Sequence, residues 1–286
     1  MTYDKIRNFY NMIICQNSKN LNFIPANSIT LTVTSPPYHN AINYFKHLQR
    51  DWYRGNQITK LEDYLNEMEQ IFSEVFRVTK QGGYCAIVIG NELAEGEMIP
   101  LPHLLTQRLL KEWKFHEEII WSKVTGGLDR FGVTIQHPYP SYYRSNIMHE
   151  HILILRKSQV HHRKDKKSKL TIDEVMKKDT SNSIWNIAPV PPKFIDHPCP
   201  FPEEIPYRLM ILYSNVNDIV LDPFVGSGQT TKVAKYLKRR YIGVDNMKDY
   251  VEMAKSRLSE KPHLRAQLVA KWQKIPDNFK EKLKQE

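Results

Sequence analysis

Cysteine is scarce in this sequence: Cys15, Cys85 and Cys199 are the only three in 286 residues. Their spacing matches no metal-ligand pattern, and an odd count suits a reducing compartment better than a disulfide framework. The histidine-rich spots "HEH" (149–151) and "HH" (161–162) do not give the H-x-x-x-H or H-E-x-x-H spacing of a metalloenzyme. No metal is therefore expected. Long apolar runs are missing too: no stretch approaches the ~18 residues that a membrane-spanning helix needs. The opening "MTYDKIRNFYNMIICQNS" is too polar for a secretory signal, so the expected location is the cytoplasm, with no membrane partner. Acidic residues are in deficit, 31 against 41 Lys and Arg, for a formal charge of +10. That imbalance favours a polyanionic partner, most simply nucleic acid, although a generically basic protein would carry it as well.

What is present alternates between strand and helix patterns. "NMIICQNS" and "SITLTVTS" read as short strands rich in β-branched residues. Over 60–80, Leu61, Tyr64, Leu65, Met68, Ile71, Phe72, Val75 and Phe76 fall three and four apart, one face of an amphipathic helix. "QGG" then supplies the expected glycine stop. "YCAIVIGN" is a continuous apolar run, the pattern of a strand buried on both faces. "LPHLLTQRLLKEW" reads as a helix, "HEEIIWSK" and "EHILILRK" as strands, "EEIPYRLMILYS" as a helix. "NDIVLDPFVGSGQTTKVAKYLKRRYIGVDN" reads strand, glycine turn, helix, strand, and "YVEMAKSRL" is a further helix. This alternation predicts one three-layer α/β domain over residues 1–286 with a mostly parallel sheet.

The glycine turn "VLDPFVGSGQTT" (220–231) is rich in information. A buried strand ends at Asp222, and Gly226 and Gly228 let backbone approach a ligand before Thr230 and Thr231 open a helix. Ligands of open α/β sheets sit beyond the carboxyl ends of strands. A second strand ends on Asp245, roughly 20 residues later, where a carboxylate accepts from ribose hydroxyls. A phosphate-binding P-loop would need Gly-Lys-[Ser/Thr], but Gln229 follows Gly228. A dinucleotide loop would need a third glycine, which "GSGQTT" lacks. Asp222 repels phosphates and suits a cation. A nucleoside cofactor with a positive tail fits, and S-adenosyl-L-methionine is one.

The stretch "TSPPY" (34–38) poses a separate problem. Proline cannot donate to a sheet ladder, so the strand "SITLTV" must stop there, on a hydroxyl, two prolines and an aromatic. Together, "TSPPY" and "DPFVGSGQTT" resemble the catalytic tetrapeptide and cofactor loop of the DNA amino-methyltransferases, and "HPCPFPEEIPYRLM" is similar to the segment preceding that loop. The likeness runs from about residue 11 to 258. The catalytic motif comes first and the cofactor loop last, the order of the family's β group. The resemblance implies a Rossmann-like methyltransferase fold, circularly permuted, with double-stranded DNA as substrate and a monomer or dimer as the acting form.

Residue by residue, it implies catalysis by Ser35, Pro36, Pro37 and Tyr38. An exocyclic amine is a poor nucleophile because its lone pair is delocalised into the ring. Acceptors at its two hydrogens, Ser35 Oγ and the Pro36 carbonyl, favour a pyramidal nitrogen, and Tyr38 can stack on a base flipped out of the duplex. The cofactor set implied is Asp222, Pro223, Phe224, Gly226, Ser227, Gly228, Thr230, Asp245, Asn17 and Phe201. Asn17 stands where the family often has aspartate, and Asp245 where many relatives have glutamate. Ser-Pro-Pro members are mostly N4-cytosine enzymes, which favours cytosine N4, with adenine N6 and an RNA substrate as alternatives. A non-catalytic DNA-binding module is a further alternative. A companion restriction endonuclease is one expected partner; an orphan regulator fits equally. Residues 123–184 are the expected recognition and DNA-contact insertions. Within them Arg156, Lys157, Arg163, Lys164, Lys166, Lys167 and Lys169 are expected on phosphates, which position without specifying. Cys199, despite its Pro-Cys context, is expected to be a small apolar residue with no chemistry.

Overall fold

The computed structural model describes residues 11–39, 60–94, 97–123, 147–160, 165–170, 179–191 and 194–264. Its strands are β1 (Met12–Cys15), β2 (Ile29–Thr34), β3 (Thr79–Ile89), β4 (Glu92–Ala94), β5 (Glu97–Ile99), β6 (Lys114–Lys123), β7 (His149–Arg156), β8 (Ile184–Ile187), β9 (Ile219–Asp222) and β10 (Arg240–Asp245). The helices are α1 (Leu61–Val78), α2 (Leu101–Leu109), α3 (Glu204–Tyr213), α4 (Gln229–Tyr236) and α5 (Lys248–Arg257). Eight strands form one sheet in the order β1-β10-β9-β2-β3-β7-β6-β8, and β4 and β5 pair separately. β7 runs antiparallel to both its neighbours; every other pair in the main sheet is parallel.

Three layers result. On one face α1 and α2 bury Leu65, Met68, Phe72, Leu101 and Leu105 against Ile87, Ile89, Leu153 and Leu155. On the other, α3, α4 and α5 bury Ile205, Leu209, Val233 and Ala254 against Val33, Val88, Ile152 and Val220. Alternate residues of one strand serve opposite layers, so a central strand is buried on both faces. β2 is buried at every position. Each large apolar side chain sealed this way contributes about 1.5–3 kcal/mol.

Two expectations are corrected here. "QGG" does not stop α1. The helix passes straight into β3, and the glycines lie in a bulge, where β2 advances from Ile29 to Leu31 while β3 advances from Thr79 to Tyr84. The helix end is closed by side chains instead. Thr79 Oγ1 donates to the Val75 carbonyl at 2.7 Å, and the Lys157 ammonium donates to the carbonyls of Phe76 (2.7 Å) and Thr79 (2.8 Å). Second, residues 123–184 are not wholly an insertion: they contain β7, which lies between β3 and β6 in the sheet. Residues 124–146, 161–164 and 171–178 of that stretch fall outside the described residues. Among the described residues no helix is long and apolar enough to cross a membrane.

Candidate active site

Four neighbouring parallel strands, β1, β10, β9 and β2, end at the same edge of the sheet. β9 ends on Asp222 and gives way to the glycine turn and α4. β2, beside it, ends on Thr34 and gives way to Ser35–Tyr38. Side chains tie these exits together. Thr34 Oγ1 donates to Asp222 Oδ1 at 2.7 Å, and Thr230 Oγ1 reaches the Val33 carbonyl at 3.1 Å. Ser18, just beyond β1, donates to the Pro223 carbonyl at 2.5 Å. Asp245, at the end of β10, accepts from the backbone N–H of Gly226 and of Met247, both at 3.0 Å. The tetrapeptide and the glycine turn, far apart in sequence, therefore share one edge.

The turn is compact because two residues lack Cβ. Gly226 and Gly228 have φ of 45° and 81°, in the left-handed region. A Cβ on Gly226 would lie 2.8 Å from His197 Nε2, and one on Gly228 would lie 2.9 Å from the Ala254 Cα. Glycine here serves packing against α5 and the 194–202 segment, as well as close approach by a ligand.

The electrostatics of the turn tell between ligand classes. Its carboxylates are Asp222 and Asp245. Burial lifts Asp222 to about 6, against the hydrogen bonds from Thr34, Thr230 and the Phe224 N–H that favour the charged form. Burial also raises Asp245, opposed by the backbone donors it accepts. Two buried cations stand nearby and both are matched. Lys232 Nζ meets Glu203 at 2.6 Å and Glu260 at 2.9 Å. Arg257 meets Glu203 at 3.0 Å and Gln229 Oε1 at 2.6 Å, and also donates to the Ser227 carbonyl. A phosphate would face two carboxylates, with the nearby basic groups already paired. A cofactor bearing an α-ammonium and a sulfonium, with ribose hydroxyls for Asp245, fits this donor set. Asp222, Asp245 and the backbone of Gly226–Gly228 would hold it.

Most of the expected residues meet at this edge. Pro36 is buried, while Ser35, Pro37 and Tyr38 are half-buried. Pro223, Ser227 and Thr230 are buried in and after the turn, and the Phe201 carbonyl accepts from Gln229 Nε2 at 3.0 Å. Phe224 turns to the other layer, its ring centroid 6.3 Å from that of Phe72. Asn17 is exposed, and its Oδ1 accepts from the Lys19 N–H at 2.9 Å, closing a local turn. The neighbouring Ser18 makes the link between loops. Cys199 is exposed rather than part of the apolar interior.

The cationic residues expected on phosphates lie elsewhere in the fold. Lys157 is spent on the carbonyls that end α1. Arg156 pairs with Tyr84, just past the bulge in β3, and with Lys114, which begins β6. Lys166 and Lys167 are exposed in a short 3-10 turn whose Ser168 Oγ accepts from the Val216 N–H at 2.8 Å, in the loop entering β9. Lys169 follows directly. All of these are at the end of the sheet opposite Asp222 and Thr34. Arg163 and Lys164 fall outside the described residues. Sequence reasoning missed Ser18, Thr34, Glu203 and His197. Thr34 and Glu203 adjoin motif residues, but nothing in the sequence marks which neighbour of a motif bears on its geometry.

The model of the N6/N4 methyltransferase family, described as DNA methylase, matches residues 29–256. The type II methyltransferase M.BglII of Bacillus subtilis is 30% identical over 250 residues, covering 84% of this chain and 66% of that protein. The DNA adenine methyltransferase YhdJ of Escherichia coli is 27% identical over 270 residues, covering 88% of this chain and 83% of its own. A Thermus thermophilus protein provisionally assigned as a DNA modification methylase, solved with S-adenosyl-L-methionine, superposes with a TM-score of 0.69. It is 28% identical, over 87% of this chain and 93% of that one. With Ser-Pro-Pro-Tyr and the glycine turn on adjoining strand ends, in β-group order, the chain belongs to the family of S-adenosylmethionine-dependent N6/N4 DNA methylases.

Proposed function

We propose that this protein methylates N4 of cytosine in duplex DNA, acting on a base flipped out of the helix. The observation that carries the proposal is the Thr34–Asp222 hydrogen bond of 2.7 Å, which fixes the start of Ser-Pro-Pro-Tyr to the start of the cofactor turn. The cofactor, when bound, supplies an electrophilic methyl carbon on sulfur. The chain prepares the amine for it. Ser35 Oγ and the Pro36 carbonyl accept the two amine hydrogens, so the nitrogen lone pair is no longer committed to the ring. Proline at 36 and 37 leaves no N–H to compete for those acceptors and stiffens the backbone that carries them. Tyr38 stacks on the base face, a contact worth ~1–3 kcal/mol, which offsets part of the few kcal/mol needed to extrude a paired base.

Serine at 35 supports cytosine through the family tendency of Ser-Pro-Pro enzymes. The likeness to a protein named for adenine methylation supports the second reading, N6 of adenine. Digestion of DNA methylated by the pure protein to nucleosides separates the two. N4-methylcytosine is the expected product; N6-methyladenine alone overturns the cytosine assignment and keeps the tetrapeptide's role. Sequencing DNA from expressing cells then locates the site. The type II name of M.BglII supports a role beside a companion nuclease, tested by whether the methylated site resists an endonuclease encoded next to it.

A further inference from the structure

Beyond the tetrapeptide itself, the ends of β3, β6 and β7 bring a second group of residues to the gap at Gly90 that the Tyr38 hydroxyl also borders. β3 gives way to Gly90, directly opposite the start of β7. The space where a Gly90 Cβ would stand is bordered by two groups. The Tyr38 hydroxyl is 3.5 Å from that point, and Glu150 approaches it with Cγ at 3.1 Å and Cδ at 3.7 Å. Glu150 is not a loose surface carboxylate. Its side chain is 7% exposed, and its Oε1 lies 2.5 Å from Lys123 Nζ, on a side chain 12% exposed. Lys123 is held in turn. Its ammonium stands 5.1 Å from the centre of the Trp121 ring, and the Trp121 indole N–H donates to the Ile187 carbonyl at 2.8 Å. A chain of contacts thus runs from the edge strand β8 through Trp121 and Lys123 to Glu150, which borders the same Gly90 gap as the Tyr38 hydroxyl.

A buried ion pair is a weak device for stability, because apolar residues of similar volume do as well or better. Further along the same strands Ile119, Ile152 and Val88 fill this layer with hydrocarbon. An ionised pair in its place points to a task at the tetrapeptide. We infer that Glu150, fixed by Lys123, is a positioning residue that acts through the Tyr38 hydroxyl to set the ring's orientation in the base pocket, with Gly90 as the gap that allows the approach. The inference rests on the proposed stacking role of Tyr38.

The test is a double-mutant cycle on the duplex whose site has been located by sequencing. Glu150→Gln keeps the shape and removes the charge. Tyr38→Phe keeps the ring and removes the hydroxyl. Each is expected to lower kcat roughly tenfold, since small misplacements of reacting groups carry costs of this order or larger, with S-adenosylmethionine affinity unchanged. The double variant is expected to be no slower than either single one, because both changes sever one connection. Gly90→Ala, which wedges a methyl group between the two, is a second route to the same loss, and Tyr38→Phe should abolish its effect. Multiplying losses in the cycle, or wild-type kcat in Glu150→Gln or Tyr38→Phe, overturns the inference. Tyr38→Ala separates this failure from that of the stacking role: if it retains wild-type kcat and KM, the stacking itself is wrong.

Discussion

Asp222 offers a quantitative test of how the cofactor turn is built. Its carboxyl is buried beneath the turn and lifted from an ordinary 3.8 to about 6. A raised value means that the folded chain holds this proton more tightly than the unfolded chain does. The favourable contribution is fully present below pH 3.8 and is lost as pH rises through about 6. Above that, keeping Asp222 charged costs the fold about 3 kcal/mol, at ~1.4 kcal/mol for each pH unit of difference. Asparagine removes the titration and keeps the shape. Its oxygen can accept from Thr34 Oγ1 and the Phe224 N–H, as Asp222 Oδ1 does at 2.7 Å and 3.1 Å. Its amide can donate to Thr230 Oγ1, whose own proton then goes to the Val33 carbonyl. Asp222→Asn is therefore expected to be more stable than the wild type at pH 8, by up to about 3 kcal/mol, a rise in Tm of roughly 6–12 °C. The gap should close as pH falls from about 6 toward 4. Calorimetric melting from pH 4.5 to 8 measures it. A variant no more stable at pH 8, or a gap that does not change with pH, refutes the account. Binding of S-adenosylmethionine by titration calorimetry at pH 8 should weaken in the same variant, the mark of a stability cost retained for function.

Three further expectations concern the supports of the site. Glu203→Ala leaves Lys232 and Arg257 short of their shared buried carboxylate and should cost about 3–5 kcal/mol in urea unfolding; a loss below 1 kcal/mol would show that these ion pairs do not hold α4 and α5 in place. Lys157→Met strips the cap from α1 and should cost about 1–3 kcal/mol while leaving the salt dependence of DNA binding as it was. Changing Lys166, Lys167 and Lys169 together to Gln should also leave that dependence unchanged; a log–log slope flattened by about 2–3 would return them to the DNA interface.

The motifs were legible because each is a local consequence of backbone chemistry. Two prolines end a strand whatever surrounds them, and glycines with positive φ mark a turn. The alternating pattern likewise gave the layers and the parallel sheet. What could not be read were features decided by distant partners. Lys157 looks like any cation in a basic run, and its role depends on β7 ending beside α1. "QGG" has the composition of a helix stop, but with the carbonyls of α1 already satisfied by Thr79 and Lys157, the glycines were free to form a bulge. β8 and the β4–β5 hairpin are four and three residues per strand, too short to show a period. Ser18 is one polar residue among several after β1, and only the fold brings it to Pro223.

The site also shows why motif order along the chain can differ without a change in chemistry. Its defining contacts join residues with no short connection: Thr34 to Asp222 and Ser18 to Pro223. Each depends on which strands are neighbours, and none on which strand was made first. A permutation alters the links between elements and leaves the order β1-β10-β9-β2 intact. The same reasoning bears on the net charge of +10. Position in the sequence placed the cationic run near the presumed recognition region. Strand direction placed its described lysines at the opposite end of the sheet, a strand's length from the tetrapeptide. At physiological salt the field of an exposed charge decays over ~8 Å, so lysines at that distance contribute little at the tetrapeptide.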